Sequence, residues 1–262
     1  MNILDKIIEH KKNEVAVAKA TASLAQLQAQ PLYRRTCLSL KQSLLDPSKT
    51  GIIAEFKRKS PSKGIINGSA MVAEVTEAYT KAGASGLSIL TDSEFFGGSA
   101  ADLQQARVNN IPLLRKDFMV DTYQIDEAKA MGADVILLIA ACLSPMEVAE
   151  MTSYAKQLGL EVLLEIHNEA ELAHICTAVD LVGVNNRDLK TFSVDVNRSI
   201  ELAKQIPADK LIIAESGIGD VATVRLLKQH GFSGFLIGEQ FMKQERPGEA
   251  FESFVNQLKG ER

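Results

Sequence analysis

Glu55 and Lys57 stand two residues apart at the end of an apolar run, in Ile52–Gly64, IIAEFKRKSPSKG. In an extended strand that spacing puts both side chains on one face. An acid and an ammonium there are costly to bury unless a function needs them. The Lys-Ser-Pro-Ser-Lys-Gly segment that follows is a loop by its Pro and Gly, and its hydroxyl and ammonium donors suit an anion. A frayed strand with a solvated basic loop would read the same way over this stretch alone.

Polar residues abut four further apolar runs, as Leu114-Arg115-Lys116-Asp117, Leu164-Glu165-Ile166-His167, Val184-Asn185-Asn186-Arg187 and Ala214-Glu215-Ser216. Lys116 shares a face with Leu114, a depth expected to lower its pKa and suit it to a general acid. The alternative is a structural ion pair. Glu165 shares a face with Leu163, and desolvation is expected to raise it toward a general base. The alternative, an ion-pair partner for Lys57 or Lys116, is compatible with that role. Arg115 and Asp117 have the opposite parity and are expected to brace the outer layer. His167 is expected to be a solvated loop histidine, and His10, His174 and His230 to lie on helix surfaces. The turns Ser216-Gly217 and Gly238-Glu239 present backbone N–H groups at helix starts, which suits phosphate.

These residues need a scaffold that brings strand ends together. Apolar runs of strand length recur at Ile52–Phe56, Leu87–Leu90, Pro112–Leu114, Val135–Ile139, Val162–Leu164, Leu181–Val184, Leu211–Ala214 and Phe235–Ile237. Helical patterns alternate with them at Val72–Ala82, Ala101–Val108, Thr122–Met131, Pro145–Leu158, Glu169–Ala178, Val196–Lys204, Asp220–Gln229 and Gly248–Leu258. Nearly continuous apolar strands are buried on both faces. Eight such units predict an α/β fold of the (β/α)8 TIM barrel type, whose sites lie at the C-terminal strand ends. Residues 1–50 are predicted to be an N-terminal helical extension, with one helix near Ser39–Leu45, and 51–262 the barrel. Together they form one domain, 1–262.

The chain has 262 residues and a formal net charge of −4. That balance argues against nucleic-acid binding, so the lysines at 57–63 read as a local site. No stretch approaches the roughly 20 apolar residues of a membrane span, and the start lacks a signal-peptide pattern, so a cytoplasmic location and no membrane partner are expected. Cys37, Cys142 and Cys176 are too far apart for a metal motif and are expected to be packing thiols. No metal or organic cofactor is expected.

IIAEFKRKSPSKG, LSILTD with FFGGS, LLRKDFMVD, LLEIHN, GVNNRDL, AESGI and FLIGEQFM occur in the order and spacing of the indole-3-glycerol phosphate synthase family. The resemblance runs from about Leu4 to the last helix. It implies a phosphorylated small-molecule substrate, 1-(2-carboxyphenylamino)-1-deoxyribulose 5-phosphate. The reaction it implies closes a ring, releases CO2 and water, and yields indole-3-glycerol phosphate in tryptophan biosynthesis. By the same resemblance, Lys116 matches the general acid and Glu165 the general base. Lys57 matches a lysine that binds the substrate carboxylate, with the division of proton steps between the lysines left open. Glu55, Asn185 and Glu215 match polar residues that position these groups. Ser60, Ser216, Gly217, Gly238 and Glu239 match the phosphate and ribulose side. Phe96, Phe118 and Leu189 match the walls around the anthranilate ring, and Arg187 a rim residue. Glu239 departs from relatives that carry Ser, and its backbone N–H is expected to face the phosphate with its carboxylate turned away. The lack of a fused second barrel suggests a monofunctional chain, expected to be a monomer with an oligomer left open. A Schiff-base aldolase and a silent scaffold barrel are the rival readings.

Overall fold

The computed structural model describes residues 3–188 and 193–260. Three helices come first, α1 (Ile3–Thr21), α2 (Leu24–Gln28) and α3 (Leu40–Leu45). β1 (Ile52–Phe56) is followed by a small antiparallel pair, β2 (Lys59–Ser60) and β3 (Gly64–Ile65). Then come α4 (Val72–Lys81), β4 (Gly86–Leu90), α5 (Ala100–Ala106), β5 (Leu113–Lys116), α6 (Tyr123–Met131), β6 (Val135–Ile139) and α7 (Pro145–Gln157). The chain continues through β7 (Glu161–Ile166), β8 (Leu181–Asn185), α8 (Val196–Ala203), β9 (Leu211–Glu215), α9 (Val221–Gln229) and β10 (Phe232–Ile237). It ends with α10 (Glu239–Met242) and α11 (Pro247–Gly260).

The strands close in the order β1-β10-β9-β8-β7-β6-β5-β4, with β1 pairing β4 in parallel to complete the (β/α)8 barrel. The expected strands and most expected helices are present. The exception is Glu169–Ala178, expected to be helical, where only a 3-10 turn over Glu169–His174 forms. Glu171 turns back there to accept from the His167 backbone N–H and the Asn168 side chain, which closes a tight turn in place of a helix.

Side-chain parity divides the core in two. Ile53, Leu114, Leu137, Ile139, Leu163, Leu181, Ile213 and Leu236 fill the barrel lumen. Leu40 and Leu44 of α3 pack into the same cluster, so α3 plugs one end of it. Residues of the other parity, such as Ile52, Phe56, Val162 and Phe235, pack outward against the helices. Each large apolar side chain so buried contributes about 1.5–3 kcal/mol. Arg115 and Asp117 take the outer parity as expected. Arg115 donates to the Gln124 carbonyl at 2.8 Å and pairs with Asp117 at 3.1 Å.

The extension is fastened by charge. Ile7, Lys11 and Val15 are buried at four-residue spacing along one face of α1. Lys11, fully buried, pairs with Asp92 at 3.1 Å and Asp117 at 2.9 Å. Burial opposes its charge, but those two carboxylates outweigh it and hold its pKa above the ordinary value. Tyr123 adds hydroxyl bonds to the carbonyls of Ala18 and Ala22. Lys11→Met leaves two buried carboxylates without this cation, so urea unfolding is expected to show a loss of about 3–5 kcal/mol. An unchanged midpoint would show that the clasp contributes nothing.

Candidate active site

Four of the lumen strands carry a charged residue two positions beyond an apolar one: Ile53–Glu55, Leu114–Lys116, Leu163–Glu165 and Ile213–Glu215. Parity therefore stacks a charged layer directly on the apolar one. Pairing registers bring the layer together, with Asn185 opposite Glu215 and Gly183 opposite Glu165. The layer floors a cavity of about 380 Å³. Every expected site residue other than Leu189 lines it, and Leu189 lies outside the described residues.

Lys57 Nζ lies 2.6 Å from Glu55 Oε1, and Lys116 Nζ lies 3.4 Å from Glu165 Oε2. Asn185 Nδ2 donates to Glu165 Oε1 at 3.0 Å, and its own Oδ1 accepts from the Arg187 backbone N–H at 3.0 Å. Two glycines make room. A methyl group at Gly183 would collide with the Glu215 carboxylate, and one at Gly238 would press into Glu55.

The electrostatics correct two sequence expectations. Burial disfavours the Lys116 charge, but Glu165, Glu215 and Glu55 outweigh it, so its pKa is raised and not lowered. Burial likewise pushes Glu165 up, but Lys116, His167 and Asn185 overcome this and hold it well below the usual carboxylate range. The proton goes elsewhere: burial and then the neighbouring Glu165 push Glu215 up to about 8. One of the three clustered carboxyls is thus neutral at pH 7, as expected when like charges crowd a buried site.

His167 is the third correction. It is not solvated but 7% exposed, with Nε2 3.1 Å from Glu165 Oε1 and Nδ1 3.2 Å from Glu171 Oε2. The 3-10 turn folds Glu171 back under it. His10 and His230 are exposed as expected, whereas His174 is half-buried, with ring nitrogens on the carbonyls of Glu171 and Leu143. The three cysteines are half-buried and packed on the core, less deeply than a buried thiol would be.

Around this floor, Phe96 and Phe118 form an apolar wall with ring centroids 6.0 Å apart. Asp92 sets that wall by accepting the backbone N–H groups of Phe95 and Phe96. Ile3, Leu4 and Ile7 of α1 close another side, which the helical pattern of the extension did not foretell. At the rim, Ser216 and Gly217 have φ of 66° and 69°. Ser216 is the one non-glycine with positive φ among the described residues, a conformation costing about 1–3 kcal/mol and concentrated at functional sites. Ser60 is buried, with its hydroxyl lacking a hydrogen-bond partner among the described residues. The Glu239 carboxylate is partly exposed, 3.8 Å from both Lys63 and Arg187. Among the described residues no cluster fit to hold a metal occurs, and no helix is long and apolar enough to cross a membrane.

Fold and site together define a (β/α)8-barrel enzyme with paired ammonium and carboxylate groups at the strand ends. The model of the indole-3-glycerol phosphate synthase family matches residues 4–254, and the chain belongs to that family. It is 48% identical to the indole-3-glycerol phosphate synthase of Bacteroides thetaiotaomicron, over 98% of this chain and 99% of that one. It is 43% identical to that of Acinetobacter baumannii, over 97% and 96%. Among solved structures, a mutant tryptophan synthase alpha-subunit from Pyrococcus furiosus shares the fold with a TM-score of 0.61 at 16% identity, covering 81% of this chain and 99% of that one.

The proton on Glu215 has a thermal signature. Its folded pKa lies above its unfolded one, so its contribution to stability falls as pH rises from about 4.5 through about 8. Glu215→Gln cannot ionise and escapes that loss. Its melting temperature relative to the parent is therefore expected to rise by a few degrees more at pH 9 than at pH 5. A pH-independent difference would contradict the placement of the proton.

Proposed function

We propose that the chain closes the indole ring of indole-3-glycerol phosphate from 1-(2-carboxyphenylamino)-1-deoxyribulose 5-phosphate, with Lys116 as general acid and Glu165 as general base. The observation that carries this reading is the Lys116–Glu165 pair at 3.4 Å, set between an aromatic wall and a glycine-bearing rim. The anthranilate ring lies against Phe96 and Phe118. Lys57 binds the substrate carboxylate. The phosphate takes the backbone N–H groups near Ser216, Gly217, Gly238 and Glu239, while Ser60 and Arg187 approach from the rim.

The steps follow from the charges. The ring carbon attacks the substrate ketone, and the developing alkoxide takes a proton from Lys116. A raised pKa keeps that donor loaded at neutral pH. Loss of CO2 restores the aromatic ring. Glu165, kept ionised, then removes a proton from the methylene beside the nitrogen, while the hydroxyl takes a proton from a lysine ammonium of the site and leaves as water. Glu55, Asn185 and Glu215 hold the acid and base in register. The entering substrate must part the Lys116–Glu165 pair, which aims one group at the ketone oxygen and the other at the methylene. A Schiff-base lysine needs a lowered pKa, the reverse of what Lys116 has. Residues 1–50 and the barrel act as one domain, in a cytoplasmic enzyme that works as a monomer, with an oligomer as the alternative.

Indole fluorescence is expected to appear when the protein is mixed with this substrate, with no borohydride-trapped adduct. Lys116→Ala and Glu165→Gln are expected to lose at least about 100-fold in kcat. Substrate binding without indole formation would overturn the reading, and near-parent turnover in either variant would overturn that residue's role.

A further inference from the structure

The mechanism leaves His167, buried beside the proposed base, without a task. His167 lies two residues beyond Glu165, where the chain turns from β7 into the 3-10 turn. Its position is built from both sides. Glu171 Oε2 accepts the His167 backbone N–H at 2.7 Å and stands 3.2 Å from Nδ1. Glu171 Oε1 accepts from Asn168 Nδ2 at 2.7 Å, so the anchoring carboxylate is itself fixed. With Nδ1 held, Nε2 is delivered to 3.1 Å from Glu165 Oε1, close enough to pair charges but out of line for a hydrogen bond.

The two oxygens of Glu165 thereby differ. Oε1 accepts from Asn185 and faces the His167 ring at ion-pair distance, while Oε2 meets Lys116. A general base must present one oxygen to the carbon acid and keep it unprotonated. We propose that His167 is a positioning residue, whose imidazolium, wedged between Glu165 and Glu171, locks Oε1 and keeps Oε2 ionised and aimed at the substrate methylene. This rests on Glu165 being the base.

The charges facing His167 agree. Burial opposes its protonation, but Glu165 and Glu171 overcome this and raise it to about 10. From the turn after β6, Cys142 is pushed up to about 12 by burial and is a neutral thiol. His174 on the same 3-10 turn spends its ring nitrogens on carbonyl oxygens. Lys116 and Glu215 reach His167 through Glu165. The ring is a cation between two carboxylates across the working pH range, which suits a fixed charge and not a proton carrier.

The test is steady-state kinetics across pH on full-length His167→Gln and Glu171→Gln, with Glu165→Gln alongside. Removing a cation beside Glu165 makes its ionisation harder, so in the substrate complex, where Lys116 has parted from it, the acidic limb of the kcat profile moves to higher pH. His167→Gln is expected to lower kcat about tenfold, with KM nearly unchanged, and to move that limb up by about one pH unit. Glu171→Gln is expected to shift it the same way by less. A merely structural histidine would lower the melting temperature and leave the profile's shape alone, and superimposable profiles overturn the proposal. Should His167→Gln not fold, NMR of the parent's His167 ring serves instead: a ring protonated through neutral pH supports the proposal, and titration near 6.5 overturns it. Near-parent turnover in Glu165→Gln would overturn the assignment of the base and this inference with it. An inactive Glu165→Gln beside an unshifted His167→Gln overturns this inference alone.

Discussion

The Lys116 ammonium sits in a buried layer with three carboxyl groups, and the mouth of the barrel is arranged around keeping those charges in balance. At a few ångströms in a partly desolvated site, each unit charge interacts with its neighbours by several kcal/mol. Lys57 joins Glu55, and His167 and Asn185 join Glu165. Glu215 has no cation of its own and takes up a proton instead. The proposed acid is loaded and the proposed base is bare, which is the state that a ring closure followed by dehydration must start from.

That balance depends on strand parity. The lumen is apolar below and charged above because four strands place a charged inward residue one step past the leucine and isoleucine layers. Gly183 and Gly238 are part of the same device, since side chains there would displace the carboxylates. The extension contributes from the other side. Lys11 ties α1 to Asp117, the residue directly after Lys116, and brings Ile3, Leu4 and Ile7 to the cavity wall. One buried ion pair thus links the stability of the extension to the shape of the site.

Much of this was legible in the sequence. The strands announced themselves as apolar runs, and where charged or polar residues abutted a run they fell at the same end, because an inward face cannot carry them deeper. The direction of the pKa shifts was not legible. Reading Lys116 and Glu165 singly predicts that desolvation dominates each, whereas the barrel places them together and mutual attraction wins. His167 was misjudged because it is held between Glu165 and Glu171, contacts that its place just past a strand end does not reveal. Lys11 offered a signal: a lysine in step with Ile3 and Ile7 on an otherwise apolar stripe. Its partners, Asp92 and Asp117, lie too far along the chain for spacing to reveal them.

Carbon-13 NMR of the side-chain carboxyls in the substrate-free enzyme reads the charge balance directly. The Glu165 signal should stay at its ionised position through the range where ordinary carboxylates titrate. The Glu215 signal should move with a midpoint near pH 8. A Glu165 that protonates near the ordinary glutamate value of about 4.3, beside a Glu215 already ionised at neutral pH, would contradict the arrangement on which the proposed acid–base roles rest.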